Sequence, residues 1–211
     1  MKTWKMKGAA GLFVSACLVM VALMSARFAL DGYKVGDVVA DFKLKNVDGE
    51  IVSLADNANT KGYIVVFTCN TCPVAQAYES RIMNLNTQFA PKGYPVVAIQ
   101  SNDSQRSPGD SFEAMQQRAK SRHYAFPYLY DESQRVAQAF GASNTPHVFV
   151  VQREGDQFRV AYIGAVDNNQ HDAAAADKRY VETAISELLA GKPVTTPSAR
   201  AVGCGIKWKN A

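Results

Sequence analysis

The chain has 211 residues, 47% of them hydrophobic, enough for one well-buried core and one domain. Four of its 23 basic residues (Lys2, Lys5, Lys7 and Arg27) lie in the first 30, where there is no Asp or Glu, and the remaining 19 balance the 19 acidic residues. A formally neutral body has no one-signed field to draw it to a polyanion, which excludes nucleic acid as a partner.

Lys2, Lys5 and Lys7 precede an uncharged run over residues 8–26. This is the pattern of a secretory signal or an N-terminal membrane anchor, and as a helix the run is about 28 Å long. The cleavage signature is poor. A cut after Ala26 leaves Met24 three positions before it, and a cut after Ala29 leaves Arg27 there. Val14-Ser15-Ala16-Cys17 has the form of a lipoprotein box, but the apolar run continues past it. The expectation is an extracytoplasmic protein, periplasmic or secreted, free or anchored, touching the membrane only through this segment. Outside the cytoplasm a close cysteine pair is a disulfide or a redox centre. With Cys17 in the leader, the body holds Cys69, Cys72 and Cys204, and the odd one needs an explanation.

Residues 27–37 read as a linker into a domain spanning 31–211. Asp41 to Leu54 alternates apolar and polar residues around Asp48-Gly49, which predicts a hairpin. Tyr63 to Phe67 is a short β-rich apolar run suited to a central strand. Cys69-Asn-Thr-Cys72-Pro73 follows at once. A helix is predicted over Val74 to Phe89, with Pro73 in its first turn. Val96 to Gln100 is a second buried strand, and a helix is predicted from near Asp110 with Glu113 as in a capping box. Phe126 to Tyr130 reads as a strand and Gln134 to Phe140 as a helix stopped by Gly141. Val148 to Val151 and Phe158 to Ile163 form a hairpin across Gly155, and Tyr180 to Leu189 a helix ended by Gly191. A tail over 192–211 carries Cys204. The order implies an α/β fold with a central mixed sheet flanked by helices.

The sharpest chemical signal is Cys69-x-x-Cys72, where a buried strand ends and a helix begins. Free N–H groups and the positive end of the helix dipole favour a thiolate there, and the thiolate is the attacking species in thiol–disulfide exchange. A structural disulfide across so short a loop gains little in chain entropy. Zinc would need two further ligands from Cys204, His123, His147 and His171, none in a paired spacing. Two thiolates and His147 suggest a copper-binding or copper-delivery module as an alternative. Arg81 and Glu79 read as a solvated helix face.

From Val35 onward the chain resembles the thioredoxin superfamily, in its redoxin or peroxiredoxin-like branch (alkyl hydroperoxide reductase/thiol-specific antioxidant). The resemblance rests on DFKLKNVDGEIVSL, VFTCNTCPVAQAYESR, TPHVFV and the terminal GCGIKW. It implies a thioredoxin-like fold with an N-terminal β-hairpin and a thiol–disulfide oxidoreductase that needs no cofactor. Cys69 would be the exposed nucleophile and Cys72 the resolving thiol. Thr145 and Pro146, the latter in the position of a cis-proline, would line a groove for an extended substrate. Partners would be protein or small-molecule thiols and disulfides, with peroxide as an alternative if Cys72 is a peroxidatic cysteine resolved by Cys69 or Cys204. Cys204, between two glycines, is either a third redox thiol or a residue anchoring the tail beside Trp208. There are departures. Thr68 and Tyr63 stand where thioredoxins carry a tryptophan and a buried acid, leaving Glu79, Asp103 or Asp167 to take the proton. Cys69 and Val65 replace the threonine and proline that position peroxide.

Overall fold

The computed structural model describes residues 32–209; the predicted leader, including its Cys17, lies outside them. An eight-stranded mixed sheet runs in the order β1-β9-β8-β4-β5-β6-β2-β3. Its strands are β1 (Val38–Val39), β2 (Lys43–Asn46), β3 (Ile51–Ser53), β4 (Gly62–Phe67), β5 (Val96–Gln100), β6 (Tyr128–Tyr130), β8 (His147–Glu154) and β9 (Gln157–Gly164). The strands β7 (Asn144–Thr145) and β10 (Cys204–Gly205) form a separate antiparallel pair. The helices are α1 (Pro73–Phe89), α2 (Phe112–Arg122), α3 (Arg135–Phe140) and α4 (Tyr180–Leu189).

β4 is the centre. It pairs in parallel with β5 and antiparallel with β8, and every one of its residues is buried. Alternate side chains point to opposite faces of a strand. Tyr63, Val65 and Phe67 therefore join Phe140 of α3 in one core, while Ile64 and Val66 join Tyr78, Ile82, Leu85 and Phe89 of α1 and Val181 and Ile185 of α4 in the other. α2 packs Met115 and Ala119 on Ala98 and Tyr128. With both faces covered, β4 reads in the sequence as a continuous apolar run.

The β2–β3 hairpin turns at Gly49, with φ +97°, and joins the sheet edge through β6. β6 is shorter than its apolar run because Pro127 has no N–H for the ladder. α2 begins at Phe112, capped by the Ser111 side chain, which accepts from the Ala114 N–H at 3.3 Å. Asp110 thus falls outside the helix, in a 3₁₀ turn over Pro108–Asp110, and faces the cysteine loop. Among the described residues no helix is long and apolar enough to cross a membrane.

Candidate active site

β4 ends at Phe67, and the chain passes through Thr68 to Cys69-Asn70-Thr71-Cys72 before α1 begins at Pro73. The missing N–H of proline costs nothing at that position. Cys72 is the N-cap: its sulfur lies 3.5 Å from the Ala75 N–H. Opposite this loop stands Thr145-Pro146, joined by a cis peptide. The Thr145 hydroxyl lies 3.2 Å from the Cys69 sulfur, and the Thr145 carbonyl oxygen 3.2 Å from the Cys72 sulfur. The fold therefore brings together all five residues singled out in the sequence: Cys69, Cys72, Thr145, Pro146 and Cys204.

The sulfurs are arranged differently from the expected Cys69–Cys72 pair. Cys72 is disulfide-bonded to Cys204, 132 positions away, and Cys69 is the free cysteine among the described residues. Nor is Cys69 exposed: it is 5% accessible, in a cluster with Cys72 and Ala75 against which Cys204 packs. The glycines flanking Cys204 do not leave it loose. β10 pairs with β7, placing Cys204 opposite Thr145 and Gly205 opposite Asn144. The tail is also anchored beyond it, with Ile206 buried in the core and Trp208 packed against it.

The Cys69 thiol is pushed up from its ordinary pKa, against the expectation of an activated thiolate. Burial is the main cause and the charge of Asp110 the next; the Thr145 hydroxyl and the N–H groups of Cys72 and Thr71 act in the opposite sense. Asp110 is fully buried. One of its oxygens accepts from the Asn70 N–H at 2.7 Å and the Thr71 N–H at 3.1 Å. The other accepts from the hydroxyls of Thr71 (2.8 Å) and Ser107 (2.6 Å) and from the Asn102 amide (2.8 Å). All five donors are neutral. The carboxylate shares the Thr71 N–H with the Cys69 sulfur and adds its own negative charge beside it. No sequence motif points to Asp110; the only available signal is an acid in a polar loop, in the position of a helix start.

Arg81 and Glu79 do not form a solvated face. Arg81 donates to Asp167 at 2.7 Å, with both side chains largely buried. Glu79 accepts from Arg118 Nε at 2.8 Å and the Tyr124 hydroxyl at 2.5 Å, and forms an ion pair with Arg122, whose Nε lies 3.0 Å away. Glu79, Arg118, Tyr124 and Cys69 border one small cavity. Of the proposed proton acceptors, Glu79 alone lines it; Asp167 is taken up by Arg81 and Tyr78, and the Asp103 carboxylate accepts from the Gln105 N–H at 3.4 Å. His147 is nine-tenths buried against Phe149, its Nδ1 accepting from the Ser143 N–H at 3.4 Å. Burial lowers its pKa to about 4. Among the described residues no three His, Cys, Asp or Glu side chains converge as a metal-ligand set.

Fold and site together define an oxidoreductase of the thioredoxin superfamily, in its redoxin branch. The chain belongs to the AhpC/TSA family, whose model matches residues 35–156. It is similar to an uncharacterized conserved protein from Geobacillus kaustophilus, with 34% identity, a TM-score of 0.78 and coverage of 85% of this chain and 94% of that one. A hypothetical protein from Sinorhizobium meliloti gives 32% identity, a TM-score of 0.78 and coverage of 85% and 97%. Among curated proteins, the thiol-disulfide oxidoreductase ResA of Bacillus subtilis is 24% identical over 162 residues, covering 76% of this chain and 86% of that one.

Proposed function

We propose that the protein is an extracytoplasmic thiol–disulfide oxidoreductase in which Cys69 and Cys72 are the working pair. One observation carries this reading: both sulfurs lie 3.2 Å from Thr145, beside the cis Thr145-Pro146 junction and at the start of α1. In the reduced protein the Cys69 thiolate attacks a substrate disulfide, forming a mixed disulfide and releasing one substrate thiolate. Cys72 then attacks the Cys69 sulfur, closing Cys69–Cys72 and releasing the second thiolate. The protein loses two electrons and the substrate gains them, with no other electron carrier needed. Residues 1–30 serve as signal or anchor for the domain over 31–211. The basic leader supports that location, and the name borne by the Bacillus relative supports the activity.

Titration of the purified protein against a glutathione series, with alkylation of free thiols and mass spectrometry, tests it. A reversible two-electron couple involving both Cys69 and Cys72 is expected. Cys69 remaining a thiol at every potential would overturn the reading. Replacement of Cys72 should trap the mixed disulfide on Cys69.

The Cys72–Cys204 disulfide favours a second reading, a thiol peroxidase. Cys72 would attack peroxide, releasing alcohol or water and becoming a sulfenic acid. Cys204 would condense with it, releasing water. Stoichiometric peroxide consumption by the reduced protein, lost in Cys72→Ser, is its test.

A further inference from the structure

We propose that the C-terminal tail is a built-in pseudo-substrate: residues 203–206 occupy the groove where an extended, cysteine-bearing peptide docks, and the Cys72–Cys204 disulfide latches them there. This rests on the oxidoreductase reading and gives its substrate a shape.

The tail meets the site as an added strand would. β10 runs antiparallel to β7 with Cys204 opposite Thr145, the residue whose hydroxyl and carbonyl face the two site sulfurs. The Ile206 N–H donates to the Ser143 carbonyl at 3.0 Å, and the Asn144 side-chain amide, through Nδ2, donates to the Gly203 carbonyl at 3.1 Å. The Thr145 hydroxyl lies 3.4 Å from the Cys204 carbonyl oxygen. Main-chain pairing of this kind accepts many sequences, and specificity comes from the side chains it has room for. Here room is short at one place. A Cβ on Gly203 would stand 2.1 Å from the Thr145 carbonyl oxygen, a backbone atom that cannot swing aside. One on Gly205 meets nothing closer than 3.9 Å. The fitting substrate is therefore an extended chain with glycine immediately before its cysteine.

The latch can be exchanged without any outside oxidant. The Cys69 thiolate attacks the Cys72 sulfur, the Cys72–Cys204 bond breaks, Cys69–Cys72 forms, and Cys204 leaves as a thiolate that takes a proton from water. Oxidation state is conserved, and the tail is freed from the groove. While the latch is closed, Cys69 sits as a buried thiol beneath an occupied groove.

The test uses the heptapeptide Val-Gly-Cys-Gly-Ile-Lys-Trp, copied from residues 202–208, with its cysteine carried as a mixed disulfide with thionitrobenzoate. Attack by Cys69 joins the peptide to it and releases the coloured thiolate. The full chain is used oxidised, reduced, and as reduced Gly203→Ala, in which the added Cβ drives the tail off β7. Oxidised protein should be the slowest. At about 10 µM peptide, against a tethered competitor with an effective concentration on the order of 1 mM, reduced Gly203→Ala should react faster than reduced wild type, by roughly a hundredfold for a peptide whose Kd lies below about 10 µM and by less for a weaker one. Oxidised Gly203→Ala should map as Cys69–Cys72 with Cys204 alkylatable, and a peptide with alanine before its cysteine should lose most of the rate.

Equal rates for oxidised and reduced wild type, or for the glycine and alanine peptides, would overturn the inference while leaving the oxidoreductase intact. A reduced protein that attacks neither peptide would remove both. If Gly203→Ala does not fold, the comparison of oxidised with reduced wild type and of the two peptides still decides.

Discussion

Two buried carboxylates flank the cysteine loop, and they are treated in opposite ways. On the α1 side, Glu79 meets two guanidinium groups and the Tyr124 hydroxyl. On the loop side, Asp110 is more deeply buried, yet its five donors are all neutral. The first is a charge cancelled where it stands, tying α1 to α2. The second is a charge hydrogen-bonded but not cancelled, so its field reaches Cys69 and disfavours the thiolate. Hydrogen bonding keeps a buried carboxylate in place; only an opposite charge removes its influence on neighbours.

Breaking the cancelled pair should have the largest effect. Glu79→Gln leaves Arg118, whose side chain is 18% exposed, facing no counter-charge. Loss of one partner of a buried ion pair costs about 3–5 kcal/mol, and urea denaturation should read it. If the comparison holds, the pH profile of Cys69 alkylation changes little in this variant.

Asp110→Asn should cost less stability, about 1–3 kcal/mol for the disturbed acceptor, but act directly on the sulfur. With the negative charge gone, the Cys69 pKa falls, and alkylation of Cys69 at neutral pH speeds up with its profile displaced to lower pH. An unmoved profile would show that burial alone governs this thiol.

His147 is the reference case, a group shifted by burial with no charged partner. Its pKa is about 4 when folded and near 6.5 when unfolded, so the unfolded chain binds the extra proton between those values. Its contribution is constant above about pH 6.5 and is lost as the pH falls towards 4, about 1.4 kcal/mol by pH 5.5. Stability measured from pH 7 to 4 should fall less steeply in His147→Phe than in wild type.

Much of the fold was legible because local patterns carry it. The alternation around Asp48-Gly49 predicted the hairpin, the apolar run over Tyr63 to Phe67 predicted β4, and Tyr180 to Leu189 matches α4 residue for residue. The site was legible where its residues are neighbours in sequence, in Cys69-x-x-Cys72 and in Thr145-Pro146. Glu79 is not legible in this way, because an acid close to an arginine on a helix resembles a solvent-facing pair, and nothing nearby in sequence announces Arg118 and Arg122.

By itself the sequence determined the element order and the α/β class, which follow from periodicity and turn chemistry, and it set Cys69-x-x-Cys72 at a strand-to-helix junction; the thioredoxin-like fold was legible only through the resemblance of its motifs to a known family. Only the tertiary structure decided which sulfur Cys72 holds, that Cys69 is buried, and that Asp110 lies beneath the loop. Those facts depend on contacts between segments 39 to 132 positions apart, and no local pattern encodes the distance between two parts of a chain that meet only when the core has closed.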